Sequence, residues 1–280
     1  MSDVPKAAPP VSGAASTVIA VLDDLRDESA ELDRMVGELG DEGWAVDTPA
    51  VGWTVAHQVA HLAWTDQAAL LAATDADAFA AHAVVAMKSP DTFVDDGARE
   101  GAALPPAELL ARWRAGRDEL QRVLRAAPAG ARFPWYGPPM SAASVGTARL
   151  METWAHAQDV ADALGVHRVP TDRLRHVARI GVRARDYAYA VRGLTPPAEE
   201  FRVELVAPSG ELWAFGEEGA TQRVTGTALD FCLLATRRAH RDDLDLRAEG
   251  ADADQWLGIA QAFAGPPGAG REASAGGGAA

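Results

Sequence analysis

Two stretches of the sequence decide the fold of this chain, TVAHQVAHLAW at residues 54–64 and METWAHAQD at residues 151–159. Each predicts a helix with two possible metal ligands four residues apart, and these pairs are His57 with His61 and Glu152 with His156. Residues at positions i and i+4 lie one turn apart on the same face of a helix. If the two faces meet inside a bundle, imidazole nitrogens and a carboxylate converge on one point. Such a donor set suits Zn²⁺ or a similar divalent ion, with a position left for water or substrate.

A second interpretation needs no metal. A single buried histidine is more often a hydrogen-bonded core residue than a ligand, so either stretch alone is weak evidence. The two stretches together are stronger evidence, because both helix faces are otherwise apolar. A carboxylate and two or three imidazoles would be costly to bury there without pairing or coordination. The residues alone leave both interpretations open.

The composition excludes several classes of protein. The chain has 280 residues, 48% of them hydrophobic, which is enough for one large domain or two ordinary ones. A net charge of −14 argues against a nucleic-acid partner, which requires a basic surface. The sequence has no long uncharged apolar run and no signal peptide, and Cys232 is its single cysteine. We therefore expect a cytoplasmic protein without a membrane span, a disulfide or a cysteine-based zinc site.

The spacing of apolar residues predicts a helical bundle over residues 16–194, after a disordered leader at 1–15. Ser16 or Thr17 is the expected cap of the first helix, and Thr54 is the expected cap of the second. The remaining predicted helices cover 78–87, the region from Pro105 to Leu124, 141–164 with Gly165 as its C-terminal cap, and 171–193, while 95–97 is a predicted loop. The aromatic loop at 128–139 either walls a pocket or packs as ordinary core.

The sequence changes character near residue 195. Alternating apolar residues predict strands at 201–206, 212–215, 222–226 and 244–248, with helices at 227–238 and 252–263. These elements describe a small α+β domain over residues 195–265. Residues 266–280 are rich in Gly and Ala, and we expect them to be a disordered tail. The predicted fold is therefore mainly α, a bundle of four or five helices followed by a small α+β domain.

The two opening stretches resemble a known family. The segment 52–63, GWTVAHQVAHLA, resembles the second-helix motif of the DinB-like superfamily, and most closely its mycothiol-dependent maleylpyruvate isomerase branch. The segment 152–165, ETWAHAQDVADALG, is similar to the second motif of that branch. The strand ending in Val224-Thr-Gly226, the helix after it and Arg237-Arg238 look like the small C-terminal domain of the branch. The resemblance covers about residues 16–265.

The resemblance implies a Zn²⁺-type site with His61, Glu152 and His156 as ligands, in a pocket that the C-terminal domain helps to close. It also implies an isomerase or S-transferase that uses mycothiol, the small thiol of actinobacteria. The abundance of Ala and Gly and the presence of only two lysines suggest a high-GC bacterial source, which is compatible with that thiol.

Four further residues are candidates for roles around the metal. His57 is not required by the family pattern, and it could be a fourth ligand, a group that hydrogen-bonds a ligand, a general base or an ordinary histidine; we favour the role of base or of hydrogen-bond partner to a ligand. Asp159 could orient the His156 imidazole by accepting a hydrogen bond from it, or form a salt bridge with an arginine. Arg237 and Arg238 could hold a substrate carboxylate, or lie at a solvated helix end.

Three functions remain open at this point. The first is a metal-dependent, thiol-assisted isomerase or transferase that acts on a small organic acid or a natural-product intermediate. The second is a thiol-independent metal enzyme, such as a hydrolase, lyase or cyclase, with His57 as its base. The third is a non-catalytic metal- or ligand-binding protein. The sequence indicates neither the substrate nor the oligomeric state, and the apolar neighbours of Cys232 make it an unlikely nucleophile.

Overall fold

A four-helix core carries the two motifs. The computed structural model describes residues 13–89, 92–266 and 268–274, with the backbone alone for 13–16. Its first part consists of α1 (Gly13–Val36), α2 (Asp41–Trp44), α3 (Val55–Thr74), α4 (Ala76–Lys88), α5 (Phe93–Ala102), α6 (Pro106–Ala126) and α7 (Ala142–Leu164). Helix α3 packs against α5, α6 and α7, and α1 packs against α7. The two motif helices, α3 and α7, therefore face each other inside the bundle.

Two helix ends match the sequence-based prediction, and one predicted loop is a helix. Thr54 is the N-cap of α3, and Gly165 ends α7 in the left-handed conformation with φ 65°. The predicted loop at 95–97 is wrong, because these residues belong to α5. Asp95 and Asp96 lie in the first turn of α5, where a negative charge interacts favourably with the positive end of the helix dipole. Gly97 is needed for close packing, since a Cβ there would lie 2.8 Å from Trp64 Nε1.

The first helix also begins earlier than predicted. It extends from Gly13, so neither Ser16 nor Thr17 is its cap. The predicted leader falls largely on residues 1–12, outside the residues that the structure describes. The helix predicted over 171–193 is divided at Ala184 into α8 (Leu174–Arg183) and α9 (Arg185–Ala190).

The aromatic loop before α7 forms a small hairpin, in which β1 (Arg132–Phe133) pairs antiparallel with β2 (Met140–Ser141). The C-terminal part contains a four-stranded sheet in the order β4-β3-β5-β6. Its strands are β3 (Phe201–Val206), β4 (Leu212–Phe215), β5 (Gln222–Thr227) and β6 (Leu246–Glu249), and its helices are α10 (Ala228–Ala235) and α11 (Ala251–Ile259). Strands β3 and β5 are parallel, and the other two pairings are antiparallel. This mainly α architecture with a small α+β part is the predicted one.

One hydrophobic core continues from the bundle into the sheet. Leu22 on α1 and Met151 on α7 belong to the same buried cluster as Phe201 on β3 and Trp256 on α11. Helix α10 packs on α8, where a Cβ at Gly181 would lie 2.9 Å from Phe231. The division at residue 195 coincides with the change from helices to strands, and its status as a domain boundary stays a prediction.

Buried ion pairs tie the segment after α7 to α1. Arg168 and Arg173 bind Glu28 and Glu31, with Nε and Nη2 of each guanidinium bonded to a different carboxylate. We call these four residues the ion-pair cluster. Among the described residues, no helix is long and apolar enough to cross a membrane. Residues 268–274, part of the predicted disordered tail, carry no helix or strand, but Arg271 pairs with Asp159 and Asp162 on α7.

Candidate metal centre

Helices α3 and α7 bring His61, Glu152 and His156 together, and we call these three residues the triad. One ligating atom from each residue lies within 4.8 Å of the other two, which is the only such group among the residues that the structure describes. Glu152 Oε2 lies 3.4 Å from His61 Nε2 and 3.3 Å from His156 Nε2. Both histidines are buried, while the side chain of Glu152 keeps 24% of its surface exposed. The opening at Glu152 leaves a side for a further ligand.

These separations fit a tetrahedral metal ion. Zinc binds nitrogen and oxygen ligands at about 2.0–2.1 Å, which places neighbouring ligand atoms of a tetrahedron about 3.3–3.4 Å apart. The triad already has this spacing between Glu152 and each histidine. His61 contributes Nε2 to this spacing, while its other ring nitrogen, Nδ1, is buried without a hydrogen-bond partner in the described part of the chain. Three donors and an open side are the arrangement of a catalytic rather than a structural zinc site.

The charge state of the triad also favours a cation. Burial raises the pKa of Glu152, but the adjacent His156 and His61 imidazoles outweigh burial and hold this pKa well below its usual value. Burial and the neighbouring His61 lower the pKa of His156 to about 4. Near neutral pH the triad therefore offers a carboxylate and a neutral His156 imidazole, whose free lone pairs are the ones that a divalent metal needs.

A chain of hydrogen bonds supports His156 from behind. Its Nδ1 lies 2.5 Å from Gln58 Oε1, Gln58 Nε2 donates to Thr48 Oγ1 at 2.8 Å, and Thr48 Oγ1 donates to the Trp53 carbonyl at 2.7 Å. Gln58 is completely buried on α3. Gln58 was not among the site residues predicted from the sequence. The one local indication of its role is that it is a polar residue three positions before His61 on a mostly apolar helix.

The place predicted for Asp159 is taken by Gln58. Asp159 Oδ2 is 4.0 Å from His156 Nδ1, beyond hydrogen-bond distance. Its two oxygens instead accept from Arg238 and Arg271, each at 2.7 Å. Asp159 thus forms the salt bridge that was its alternative role, and it anchors the C-terminal segment beside the triad.

His57 does not join the group of ligating atoms. Its Nδ1 accepts from the Thr54 backbone N–H at 3.2 Å, while the Thr54 side chain accepts from the His57 backbone. This reciprocal pair is a capping box, in which His57 takes the place usual for Glu or Gln. Burial and the nearby Arg99 lower the pKa of His57. The geometry gives His57 a defined structural role at the start of the helix that carries His61.

The two arginines after α10 differ in their contacts. Arg238 donates through Nε to the Ala155 carbonyl, through Nη1 to the Thr236 carbonyl and through Nη2 to Asp159. Each of its guanidinium nitrogens therefore has an acceptor within the protein. Arg237 has the single positive φ among the described non-glycine residues, 62°. Its backbone lies at the left-handed position of a Schellman motif, because Arg237 N–H bonds Leu234 and Arg238 N–H bonds Leu233.

The side chain of Arg237 is unusual for a partly buried cation. Its Nε is buried without a partner in the described part of the chain, and burial lowers its pKa. The left-handed conformation costs a non-glycine residue about 1–2 kcal/mol. Arg237 thus combines a left-handed backbone with a buried Nε that has no partner in the described part of the chain.

Aromatic rings cover the triad. The Trp53 ring lies 6.0 Å from the His156 ring at an interplanar angle of 17°, and 5.4 Å from the His61 ring. Trp64 contacts His61 on another side and continues into a cluster of rings formed by Phe79, His82, Phe93, Trp135 and Tyr136. The aromatic loop therefore packs into a larger cluster, which adjoins the triad through Trp64.

A second buried polar contact lies one turn further along the same helices. Asp66 on α3 accepts from Arg149 Nε on α7 at 2.8 Å, and both side chains are almost completely buried.

Cys232 is fully buried, its thiol contacts the Leu174 carbonyl, and burial raises its pKa well above the usual value. A thiol in this state is a poor nucleophile, as the sequence-based analysis expected.

Comparison with known proteins identifies relatives of both parts of the chain. Residues 25–161 match the family model of the mycothiol maleylpyruvate isomerase N-terminal domain, and residues 197–249 match a model described as wyosine base formation. Uncharacterized proteins from two strains of Mycobacterium tuberculosis, CDC 1551 / Oshkosh and H37Rv, are each 58% identical over 248 residues. Each match spans 89% of this chain and 96% of the relative.

Two solved structures share the fold. Both are mycothiol-dependent maleylpyruvate isomerase, one of them in a point-mutant form. The mutant aligns with a TM-score of 0.56 at 17% identity, and the other structure with 0.54 at 16%. Each alignment covers 79% of this chain and 90% of the other. At this identity the likeness establishes the DinB-like fold of the chain.

Proposed function

Since this chain belongs to the mycothiol maleylpyruvate isomerase N-terminal domain family, we propose that it is a divalent-metal-dependent enzyme, an isomerase or S-transferase that uses a small thiol such as mycothiol. The observation that carries this proposal is the convergence of the triad at separations of 3.3 and 3.4 Å, which match neighbouring ligands of one tetrahedral ion. The substrate that we propose is a small organic acid or a natural-product intermediate.

Zinc is the metal that we propose, with His61, Glu152 and His156 as its protein ligands. A bound divalent ion would lower the pKa of a coordinated thiol or water and polarise a substrate carbonyl. The protein's own part is to keep Glu152 ionised and His156 neutral, and to hold both at ligand spacing. The Trp53 and Trp64 rings lie 5.4 and 6.2 Å from the His61 ring, so we propose that they limit the access of water to the triad. A thiolate held there would be poorly hydrated and therefore strongly nucleophilic.

Arg237 is the residue that we propose for an anionic group of the substrate. Each guanidinium nitrogen of Arg238 donates within the protein, whereas Arg237 has a buried Nε without a partner in the described part of the chain and a left-handed backbone. The substitution Arg237→Gly tests this role, because it relieves the strain and removes the cation. We expect a more stable protein with a higher KM for an anionic substrate; an unchanged KM would remove Arg237 from the site.

Two alternatives stay open as proposals. A thiol-independent hydrolase, lyase or cyclase would use His57 as its base. The lowered pKa of His57 favours the neutral imidazole that a base requires. A non-catalytic metal- or ligand-binding protein would have a closed set of four ligands including His57, or an empty site without turnover; the described residues bring three ligands together. The net charge of −14 disfavours a nucleic-acid substrate, so we propose a small-molecule partner despite the match with the wyosine model.

The metal content of purified protein tests the proposal first. We expect about one zinc-like ion per wild-type chain, none in His61→Ala, and full content in His57→Ala. Activity that requires an added thiol would then separate the first function from the thiol-independent one, which His57→Ala would abolish. Loss of metal in both variants would favour a closed four-ligand site. Absence of metal from carefully handled wild-type protein would overturn the metal mechanism.

A further inference from the structure

The chain of hydrogen bonds that supports His156 begins at the Trp53 carbonyl, which can only accept a hydrogen bond. The Trp53 carbonyl oxygen is an acceptor, so the Thr48 hydroxyl at 2.7 Å must donate its one hydrogen to it. The Thr48 oxygen can then only accept from Gln58, which lies 2.8 Å away. The amide group of Gln58 is the matching donor, and its carbonyl oxygen is therefore turned toward His156.

This orientation determines which nitrogen of His156 carries the proton. Gln58 Oε1 lies 2.5 Å from His156 Nδ1, so Nδ1 must be the N–H donor. A neutral imidazole has one donor nitrogen and one acceptor nitrogen. His156 Nε2 therefore presents its lone pair to the interior of the triad, where Glu152 Oε2 lies 3.3 Å away.

The result is a contact between two acceptors. A carboxylate oxygen and an imidazole lone pair repel each other at this distance unless a proton or a metal cation lies between them. Without Gln58, the proton could move to Nε2 and bond to Glu152, which would close the triad as an ordinary internal hydrogen bond. The buried Gln58 thus excludes the metal-free arrangement that would compete with binding.

We propose that Gln58 is a positioning residue that holds His156 in the Nδ1–H tautomer and so keeps the triad open for a cation. This inference rests on the metal site of the proposed function. Gln58 acts through His156 and does not itself contact the metal position, in the way that outer hydrogen bonds orient metal-binding histidines. Its own orientation depends on Thr48 and the Trp53 carbonyl, which link the loop before α3 to α7.

Nuclear magnetic resonance of the ¹⁵N-labelled full-length protein, freed of metal by a chelator, tests the tautomer directly. The His156 signals are assigned by their loss in His156→Asn. We expect an N–H type shift for Nδ1 and a lone-pair type shift for Nε2 in the wild type. In Gln58→Leu we expect the proton on Nε2. The variant Gln58→Glu keeps an oxygen opposite Nδ1 and should restore the wild-type tautomer.

Titration with Zn²⁺ against a competing chelator gives the second readout. We expect the zinc affinity to fall by about 10–100-fold in Gln58→Leu. Gln58→Glu should bind zinc nearly as the wild type does, and Thr48→Val, which frees the Gln58 amide to turn, should give an intermediate loss. The matched control is Gln67→Leu, an exposed glutamine on the same helix, which should leave both the tautomer and the affinity unchanged.

The outcomes separate this inference from the proposed function. A wild-type His156 with its proton on Nε2 overturns the role of Gln58, and so does a Gln58→Leu variant with unchanged tautomer and affinity. If the wild type shows the expected tautomer but binds no zinc, the positioning role stands and the metal function fails. If Gln58→Leu does not fold, wild-type protein, Gln58→Glu and Thr48→Val decide: unchanged zinc affinity and tautomer in Thr48→Val overturn the proposal.

Discussion

The ion-pair cluster and the triad are both built from buried charged groups, and they differ in whether those groups satisfy one another. In the ion-pair cluster, two carboxylates face two guanidiniums, the charges cancel, and all four carboxylate oxygens accept from arginine. In the triad, a carboxylate faces two imidazoles, and at least one lone pair has no donor. In the first set the buried charges satisfy one another, whereas the second set is the one that we propose to be completed by a cation.

The ion-pair cluster joins α1 to the connection between α7 and α8, and the triad lies between α3 and α7. Exposure alone does not separate them, because the side chain of Glu31 is 20% exposed and that of Glu152 is 24% exposed. The two sites differ in the partners of their carboxylates, which are cations in the ion-pair cluster and imidazoles in the triad. Four expected outcomes test this difference.

Breaking the ion-pair cluster should have the largest effect on stability. Arg168→Met removes one partner and leaves the buried Glu28 carboxylate only partly compensated. We expect the free energy of unfolding to fall by about 3–5 kcal/mol, as measured by urea denaturation. The zinc content per folded molecule should not change. A loss below about 1 kcal/mol would show that the cluster is not the stabilising element that its geometry indicates.

Acid should destabilise the metal-free protein through His156. Its pKa falls from 6.5 in the unfolded chain to about 4 in the folded one, so the unfolded state binds more protons between these two pH values. Stability is thus lost as the pH falls from about 6.5 to about 4, by up to about 3 kcal/mol at 1.36 kcal/mol per pKa unit. Urea unfolding of His156→Gln should show a flatter pH dependence; equal slopes would contradict this.

The capping role of His57 predicts a smaller effect. His57→Ala removes one half of the capping box at the start of α3, and we expect a loss of about 1 kcal/mol in thermal or urea unfolding. His57→Glu supplies the side chain that is usual at this position and should recover most of the loss. Both variants should keep zinc. Loss of the metal in His57→Ala but not in His61→Ala would reverse the assignment of the two histidines.

Neutralising the triad should affect the metal-free protein least. Glu152→Gln removes the charge and provides an amide that can donate to an imidazole lone pair. We expect the free energy of unfolding of the metal-free protein to change by less than about 1 kcal/mol, and zinc binding to be lost. The contrast with Arg168→Met is the decisive comparison. A loss of several kcal/mol in Glu152→Gln would mean that the triad stabilises the fold without metal.

Much of the architecture could be predicted from local pattern. The caps at Thr54 and Gly165, the helices of the bundle and the strands after residue 200 follow from apolar spacing and turn residues. The helix α5 was missed, because Asp95, Asp96 and Gly97 together were interpreted as a loop, although acidic residues also favour the first turn of a helix. Gly97 is instead required by the Trp64 ring, which comes from a distant helix. Contacts of this kind have no local sign.

The residues around the triad show the same limit. Four-residue spacing placed His61 on one helix face and the Glu152–His156 pair on another, because helix periodicity is a property of the chain itself. The same spacing also grouped His57 with His61, although a capping residue and a ligand can share that spacing. Asp159 stood three residues after His156, yet the group at hydrogen-bond distance from His156 Nδ1 is Gln58, 98 positions away in the chain.

Helix periodicity, the caps at Thr54 and Gly165 and the spacing of the possible ligands could be read from the chain, since they depend on interactions within a few residues. Which of these residues converge was set by the packing of the helices. The packing of α3 on α7 set the separations in the triad, and the loop before α3 supplied the acceptor that orients Gln58. The physical reason is that hydrogen bonding and coordination act over about 3 Å between atoms, whatever the distance along the chain.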